Sequence, residues 1–527
     1  MSIRVQSQVL AAAVIAVMPV VVVADPALPT IPSGTFTVAA ATGNATTDTA
    51  NLKAALTSAK NAGGGTVIVP AGTYLSNALT LTSSINLQLS AGAVIQNNAP
   101  SSTLLTVSSS SHDVAITGSG MIDGHATATS SNNLVNLQGV TRLLISGVTI
   151  ANSSHEHLVI EKDTDVTVNG ITINDNYSIA HTGGYLSNTD AIDFSGTRFL
   201  IENTNINAGD DDIVAKPGST YTSNITIVNN TIGAGHGISI GGQTNANLDG
   251  MTVSNITFNG TDNGLRLKAG TGQGGVVRNV SFSNITMTNV ATPIIINSWY
   301  QSGDRYGAAQ LSGSQLHNVT NPGETPVAVN QPNNTNLDPF YDNVSYSNIT
   351  ATGASQCAAI IYGLDSIAAS ANDPPRNIDT VSFSNVNLSG KYGANIYYAS
   401  NLDLSGLTVT ATGGNAFNLY GDTPLGDANG DGTVDLTDLS IVLNNFGATT
   451  SARSRGNFDG AATINLTDLS AVLNHFGTAY VNGGLAPGAP TAAGAMSAIS
   501  VPEPASLAAL LPPIFLFARR RRAEVSR

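Results

Sequence analysis

The feature that most constrains this chain is a set of four short patches with one shared pattern: a polar residue, any residue, then Ile or Leu. When the patches are aligned on that apolar residue, the polar positions stand 21, 25 and 27 residues apart along the chain. They are Asp190, Asp211, His236 and Asn263. A nearly constant step of this length is typical of a solenoid, in which each coil stacks on the previous one.

A solenoid brings residues of equal phase into columns along the stack. We therefore expect carboxylates and an imidazole that are distant in sequence to meet on one face. The last patch adds Arg266 and Lys268, which stand two residues apart and so point to the same side of a strand. That side faces outward if Leu265 and Leu267 fill the core.

Three carboxylates, those of Asp190, Asp210 and Asp211, are expected in this column. Three such groups cannot all ionise at their ordinary pKa, so one should keep its proton at weakly acidic pH while the others are charged. An acid beside a base is what glycosidic cleavage requires, and the nearby Arg-x-Lys pair suits a substrate that carries carboxylates. A single Asp in a loop would more simply cap backbone N–H groups, and the common position of all three favours catalysis.

The four patches resemble the motifs of glycoside hydrolase family 28, the polygalacturonases. Those motifs read N-T-D, D-D, G-H-G and R-x-K, and they occur here in that order at 188–190, 210–211, 235–237 and 266–268. The resemblance covers roughly residues 35–420. It implies an all-β fold, a right-handed parallel β-helix (a pectin lyase-like solenoid) with an N-terminal helix cap. It also implies hydrolysis of α-1,4-galacturonosyl bonds in polygalacturonan or pectin, with inversion at the anomeric centre.

The resemblance also implies a role for each catalytic residue. Asp210 is the general acid that protonates the glycosidic oxygen. Asp190 and Asp211 position and deprotonate the attacking water. His236 sustains the charge state of these carboxylates. No metal or other cofactor is expected in the hydrolysis.

Four further residues are implied to bind substrate. Arg266 and Lys268 would hold a galacturonate carboxylate. Tyr300 matches a tyrosine at the family's substrate cleft, and Asn188 begins the N-T-D motif. There is a simpler interpretation for three of these residues. Arg266 and Lys268 could form a solvated face of a strand, and His236 could be a structural histidine.

Two other functions remain open at this point. A calcium-dependent pectate lyase would use the same fold, release unsaturated products and lose activity in a chelator, although the G-H-G patch argues against it. A non-catalytic adhesin or scaffold protein would bind polysaccharide without releasing reducing ends.

Charge and cysteine content limit the partners of the chain. The net charge is −14 and the isoelectric point about 4.8, which argues against nucleic acid because nucleic acid requires a basic face. A polyanionic polysaccharide must then meet a local cationic site, on a catalytic domain expected to be monomeric. The single cysteine, Cys357, excludes a disulfide within the chain and is expected to be buried. Fungal members of the resembled family carry a cysteine directly after the Asp pair, where this chain has Asp212.

The chain divides into five predicted segments. They are a signal peptide (1–24), a catalytic β-helix (25–423), a calcium-loop module (424–480), a linker (481–500) and a sorting tail (501–527). The signal peptide is predicted from Arg4 and the apolar run up to Ala24, which is short for the alternative of a membrane anchor. A secreted or outer-surface location on a bacterium follows.

The β-helix is predicted to begin with a helix over residues 49–61, whose apolar face is formed by Leu52, Ala55, Leu56 and Ala59. Short strands then recur up to about residue 411. Several of them contain an Asn directly before the second apolar residue, as in V-S-F-S-N-I around Asn284. We expect these asparagines to adopt left-handed geometry at a turn and to hydrogen-bond from coil to coil.

Residues 427–438 are predicted to form a calcium loop of the EF-hand kind, because oxygen-bearing residues fall at positions 1, 3, 5, 7, 9 and 12 and a Gly at position 6. The expected ligands are Asp427, Asn429, Asp431, Thr433, Asp435 and Asp438. A second copy follows thirty residues later with Ala461 and Ala462 at positions 5 and 6, so weak or no binding is expected there. The pair resembles a dockerin type I module, which implies a cohesin-like partner. A helical hairpin with acidic loops is the alternative.

The end of the chain resembles a bacterial PEP-CTERM-type sorting tail. Val501-Pro502-Glu503-Pro504 precedes an apolar run and then Arg519 to Arg522. The run is short for a membrane span and contains two prolines, so a processed signal fits better than a permanent anchor.

Overall fold

The computed structural model describes the chain in ranges separated by gaps. They are residues 25–126, 130–175, 188–270, 273–298, 300, 338–363, 378–397, 399–404, 406–414, 416–420, 423–429, 433–449, 455–458, 463–478, 480–481 and 484–485. The predicted signal peptide and sorting tail lie outside the described residues, as do Asp431 and most of the predicted linker.

Most of the described chain is a stack of coils built from short strands. In chain order they are β1 (Thr35–Thr37), β2 (Gly65–Val69), β3 (Gly72–Ser76), β4 (Leu79–Leu81), β5 (Ile85–Leu89), β6 (Ala93–Asn97), β7 (Leu105–Val107), β8 (His112–Gly118), β9 (Met121–Asp123), β10 (Val135–Asn136), β11 (Thr141–Ser146), β12 (Thr149–Ala151), β13 (Leu158–Asn169), β14 (Thr172–Asn174), β15 (Ile192–Glu202), β16 (Asn205–Asn207), β17 (Ile213–Ala215), β18 (Thr222–Val228), β19 (Thr231–Ile232), β20 (Ile238–Gly242), β21 (Leu248–Asn259), β22 (Asn263–Ala269), β23 (Val276–Thr288), β24 (Thr292–Asn297), β25 (Phe340–Tyr362), β26 (Ile378–Tyr397), β27 (Ser400–Asp403), β28 (Leu407–Ala411), β29 (Phe417–Tyr420) and β30 (Thr423–Pro424).

These strands pair in parallel as three sheets, with one strand per coil in each sheet. The first sheet runs from β1 through β2, β5, β8 and β11 to β30, the second from β3 through β6 and β9 to β28, and the third from β4 through β7 and β10 to β29. The longest strands, such as β25, turn the corners and pair in all three sheets. This is the parallel β-helix expected from the repeat.

An inward-facing apolar column sets the register of the third sheet. Ile192 lies opposite Ile213, Ile213 opposite Ile238, and Ile238 opposite Leu265. All four side chains are buried in the core. Because side chains alternate along a strand, a slip of one residue would turn this column to solvent. The register agrees with the alignment of the four sequence patches.

Aromatic rings continue the core toward the C-terminal coils. Tyr346 stacks between Phe282 and Phe383, with ring centroids 5.0 and 5.1 Å apart. The three residues occupy equal positions on β23, β25 and β26. Stacked rings at this distance add about 0.5–1.5 kcal/mol beyond the burial of their surface. Cys357 is buried, as expected.

One corner of the β-helix is formed by an asparagine in each of several successive coils. Asn255, Asn284, Asn348 and Asn385 all have φ between 52° and 56°. The side-chain amide of Asn348 donates to Asn284 at 3.2 Å, and that of Asn385 donates to Asn348 at 3.0 Å. Both expectations for this residue set are confirmed, because Asn tolerates the left-handed region and its amide can pair with an identical neighbour.

Helix α1 (Ala45–Asn61) covers the N-terminal end of the core. It begins four residues before the predicted start at Thr49, because the Asn44 side chain caps it by accepting a hydrogen bond from the N–H of Thr47. The glycines at 63–65 follow its end. The predicted apolar face is buried, as Leu52, Ala55, Leu56 and Ala59.

Two similar helices lie beyond the β-helix, α2 (Leu436–Asn445) and α3 (Leu466–His475), with a small antiparallel pair, β31 (Tyr480–Val481) and β32 (Gly484–Leu485). Helix α2 begins directly after Asp435, since Asp435 and Asp438 form a capping box. The helices enclose a small apolar cluster of their own, which includes Val442 and Val472. The predicted domain boundaries remain predictions. Within the described parts of the chain, no helix combines the length and apolar character that a bilayer span requires.

Candidate active site

Asp190, Asp210 and Asp211 meet at the start of two neighbouring strands, β15 and β17. Asp190 and Asp211 hold equal positions, each two residues before the paired Ile192 and Ile213. One oxygen of each of the three carboxylates lies within 4.8 Å of the other two. The stacked coils thus bring these acids into one place, as the spacing predicted.

The acids line a cleft of about 370 Å³ on the outside of the third sheet. Asn188, Lys268 and Tyr300 line it too, so these predicted substrate-binding residues share one space with the carboxylates. The Lys268 ammonium lies over the Tyr300 ring, 4.8 Å from its centroid. An aromatic face beside a cation offers a surface on which a charged sugar ring can rest.

Asp211 is held as a carboxylate. Its Oδ2 accepts a hydrogen bond from the Lys268 ammonium at 2.6 Å, and its Oδ1 pairs with the Arg266 guanidinium. Ser239 Oγ donates to the same Oδ1 at 2.9 Å. Burial alone would raise the pKa of Asp211, but the charges of Arg266 and Lys268 outweigh it and hold that pKa far below its ordinary range. Both predicted substrate cations therefore contact Asp211 in this structure.

Asp210, the next residue in the chain, has the opposite environment. Its carboxylate accepts hydrogen bonds from the backbone N–H of Asn188 at 2.8 Å and of Asp211 at 2.9 Å. Burial, together with the negative charges of Asp190 and Asp211, raises the pKa of Asp210 above its ordinary value. Of these two adjacent acids, Asp210 is thus the one that binds a proton more readily, which is what a general acid needs.

His236 lies between Asp210 and Asp262. Its Nδ1 is 2.9 Å from Asp262 Oδ2, and its Nε2 is 3.7 Å from Asp210 Oδ1. Burial disfavours the imidazolium, but the hydrogen bond and charge of Asp262, with the charge of Asp210, outweigh that effect and raise the pKa of His236. A cationic ring beside Asp210 matches the predicted role of sustaining the charges of the site.

The sequence reasoning missed Lys216, which bridges two acids of the cleft. Its ammonium lies 2.7 Å from Asp190 Oδ2 and 2.6 Å from Asp193 Oδ2. Burial would lower the pKa of Lys216, but the charges of Asp193 and Asp190 outweigh that effect and raise it well above its ordinary value. Burial and the neighbouring Asp190 also raise the pKa of Asp193.

The phase of the repeat was the signal that could have found these residues. Lys216 stands three residues after Ile213, as Lys268 stands three residues after Leu265. Asp262 stands directly before Asn263, at the phase of Asp210. Neither residue belongs to the motifs N-T-D, D-D, G-H-G and R-x-K, so those motifs alone do not point to them.

The predicted calcium loop is described at five of its six ligand positions, all except Asp431. The first and last carboxylates, Asp427 and Asp438, are buried. Asp438 closes the loop on itself, because it accepts hydrogen bonds from the N–H of Ala428 at 2.8 Å and of Asp435 at 2.8 Å. Two buried carboxylates in an oxygen-only donor set fit a hard cation such as Ca²⁺.

Comparison with known proteins places the site in a family. The family model described as Glycosyl hydrolases family 28 matches residues 60–366, a stretch that contains all eight predicted catalytic and substrate-binding residues. The chain is 34% identical over 227 residues to a polygalacturonase of Prunus persica, covering 39% of this chain and 54% of that protein. It is 32% identical over 203 residues to an endo-polygalacturonase of Pectobacterium carotovorum subsp. carotovorum, covering 38% and 48%. The chain spans about half the length of these curated relatives.

Solved structures resemble this one in fold. A polygalacturonase from Erwinia carotovora ssp. carotovora superposes with a TM-score of 0.52 at 23% identity, covering 74% of this chain and 98% of that one. A family 28 exopolygalacturonase of Yersinia enterocolitica gives 0.59 at 18% identity, covering 75% and 79%. This likeness confirms the predicted right-handed parallel β-helix.

Replacing Lys216 should destabilise the protein strongly. Lys216→Met leaves two buried carboxylates without their shared cation, so we expect the free energy of unfolding to fall by about 3–5 kcal/mol in chemical denaturation. Lys216→Arg keeps the charge and should lose much less. The matched control is Lys162→Met, because Lys162 is an exposed lysine of strand β13, and its change should be small. Equal losses in Lys216→Met and Lys162→Met would contradict the bridging role.

Proposed function

Because the chain belongs to glycosyl hydrolases family 28, we propose that it is a polygalacturonase-like glycoside hydrolase that cleaves α-1,4-galacturonosyl bonds of polygalacturonan or pectin. One observation carries the proposal: two adjacent carboxylates, Asp210 and Asp211, have pKa shifts of opposite direction within one cleft. Carboxyl groups whose environments drive their pKa values apart are the pair from which acid and base roles are drawn.

Asp210 acts as the acid. Its proton passes to the glycosidic oxygen as the bond between that oxygen and the anomeric carbon breaks, so the leaving sugar departs as an alcohol. The anomeric carbon then carries positive charge, which the ionised Asp211 stabilises at short range. Asp210 is left as a carboxylate, and the neighbouring His236 cation stabilises that charge until a proton returns.

Asp190 and Asp211 hold the water that attacks the anomeric carbon. Asp211 is a poor proton acceptor because Arg266 and Lys268 hold its pKa low, so we assign it the orientation of the water. Asp190 accepts the proton, and Lys216 keeps its carboxylate in place. Attack from the face opposite the leaving group gives inversion, the outcome that the family resemblance implies.

The cleft offers cations to an acidic sugar despite the acidic composition of the chain. Arg266 and Lys268 pair with Asp211, and Lys216 pairs with Asp190 and Asp193. Burial and the charges of Asp190 and Asp211 raise the pKa of Asp210, so Asp210 carries less negative charge at a given pH than an ordinary Asp. A galacturonate carboxylate would meet Lys268, which lines the cleft with its ammonium over the Tyr300 ring.

The remaining segments complete the proposal for the whole protein. Residues 1–24 would direct secretion, and residues 501–527 would act as a bacterial sorting signal at the outer surface. The module over 424–480 would bind Ca²⁺ and dock a cohesin-like partner, while the catalytic domain acts as a monomer. Calcium would be held by Asp427, Asn429, Asp431, Thr433, Asp435 and Asp438, and it would rigidify the loop without taking part in hydrolysis.

The substitution Asp210→Asn should abolish most of the activity because the amide has no proton to give. We expect kcat on polygalacturonate to fall by about 100- to 10,000-fold with the melting temperature nearly unchanged, measured by release of reducing ends. Asp249→Asn, at an ion pair with Arg278 outside the cleft, is the control and should keep full activity. Normal turnover by Asp210→Asn would refute the assignment.

The same assay on the parent protein separates the two alternative functions. Products that absorb in the ultraviolet, and that are no longer formed when a chelator is added, would indicate a pectate lyase. Binding of the polysaccharide without any release of reducing ends would indicate an adhesin.

The pH dependence of kcat/KM should show a fall on the alkaline side that reports Asp210. The acid must be protonated, and its pKa is raised, so the midpoint should lie above the ordinary Asp value of 3.8. Replacing His236 by Gln removes a cation that favours ionised Asp210, which should move the midpoint to higher pH. A midpoint at or below 3.8, or one that does not move in His236→Gln, would contradict the assignment.

Calcium should stabilise the C-terminal helices through the first loop alone. In the full chain we expect Ca²⁺, compared with a chelator, to raise the unfolding temperature of this part, and Asp427→Ala to remove that effect. Asn457 holds the equivalent first position of the second loop, so Asn457→Ala is the matched control and should keep the response. Calorimetric titration of the parent protein and of both variants with Ca²⁺ gives the same comparison without any activity measurement. A calcium response that survives Asp427→Ala would contradict the proposed site.

A further inference from the structure

Asp212, the third aspartate of the run at 210–212, has no role in the reaction as derived above. Its side chain is fully buried, whereas Asp210 and Asp211 line the cleft. A buried carboxyl group is costly unless it makes specific contacts, so its neighbours are informative.

Asp212 makes two hydrogen bonds to the residue that follows His236. Its Oδ2 accepts from the N–H of Gly237 at 2.8 Å, and its own N–H donates to the carbonyl of Gly237 at 3.0 Å. Side chain and backbone of one residue thus hold both polar groups of Gly237. The loop cannot turn at Gly237 without breaking one of these bonds.

The same carboxyl group packs against the residue that precedes His236. A Cβ atom added at Gly235 would lie 2.4 Å from Asp212 Oδ2, and Gly235 has φ of +141°, so only glycine fits there. The flanking glycines of the G-H-G motif therefore both contact Asp212. Between them, the N–H of His236 donates to the carbonyl of Asp210 at 2.7 Å.

From these contacts we infer that Asp212 is a positioning residue, which clamps the loop on both sides of His236 and so holds the imidazole between Asp262 and Asp210. The inference rests on the proposed function for its effect on catalysis, but the clamp itself is a property of the fold.

The clamp needs an acceptor oxygen rather than a charge. Asp212 is fully buried, and ionising such a group is unfavourable unless a cation or several hydrogen bonds compensate the charge. Burial, together with the negative charges of Asp211 and Asp262, raises the pKa of Asp212 well above its ordinary value. A neutral Asp212 adds no negative charge beside Asp211, and its acceptor oxygen is enough to hold Gly237.

Two substitutions separate the clamp from its charge. Asp212→Asn keeps an acceptor of the same shape and should keep kcat, KM and the titration of His236 close to those of the parent protein. Asp212→Ala removes the acceptor, so His236 should shift from its partners. We expect kcat to fall by about 100-fold with KM little changed, because a misplaced catalytic group lowers the rate without weakening substrate binding. The His236 imidazole pKa, followed by NMR, should return toward 6.5.

Asp48→Ala is the matched control for stability. Asp48 is also fully buried and accepts backbone hydrogen bonds, from the N–H of Thr42 at 2.8 Å and of Leu75 at 3.2 Å, but it lies at the N-terminal cap. Its loss should lower the melting temperature without changing kcat or the titration of His236.

The inference is overturned if folded Asp212→Ala retains both the parent kcat and the parent His236 titration. It is also overturned if Asp212→Asn is damaged as severely as Asp212→Ala, since that result would mean that charge rather than the hydrogen bond matters. The NMR titration needs no substrate. If the parent protein failed to hydrolyse galacturonan, the proposed function would fall while the clamp would still be tested.

Discussion

The in-register stacking of apolar residues on the inner side of the third sheet is the interaction on which the rest of the structure depends. Ile192, Ile213, Ile238 and Leu265 pair in sequence and are all buried. Their burial fixes the phase of each strand, since a slip by one residue would move every side chain to the other face. Hydrogen-bonded parallel pairing then sets the distance from coil to coil. The same packing brings the candidate catalytic residues together, because each of them stands at a fixed number of positions from a buried residue of this column.

The charges of the cleft shift the pKa values of two adjacent residues, Asp210 and Asp211, in opposite directions. Asp210 and Asp211 are joined by one peptide bond, yet only Asp211 contacts Arg266 and Lys268. The backbone N–H groups that bind Asp210 are weaker than two full cations, and the charge of Asp211 itself disfavours a second ionised group. The low pKa of one acid thus helps to raise the pKa of the other. A second cation, Lys216, forms ion pairs with both Asp190 and Asp193.

Much of this arrangement could be predicted from the sequence because it depends on periodicity. The alignment on Ile and Leu placed Asp190, Asp211 and His236 at one phase, and the asparagines of one corner followed from their tolerance of positive φ. Contacts that join different phases were harder to predict. Lys216 reaches back to Asp190 across a coil, and Asp262 reaches His236 from a position outside the aligned motif. The predicted start of α1 was too late, because the Asn44 cap lies several residues before the apolar positions on which the prediction was based.

The three-sheet coil has a consequence for how such a protein can change in length. All of the central acids and cations come from consecutive turns of the third sheet, from β15 to β22, and none comes from the coils before β13. A whole turn added or lost near α1 would lengthen or shorten the wall beside the cleft while leaving the reacting groups in place. A single residue inserted inside β17 or β20 would instead shift the strand pairing and turn the buried column toward solvent. Such a chain can therefore change by whole turns, or in the corners where successive coils already differ in length, but not inside the strands that carry the acids and cations.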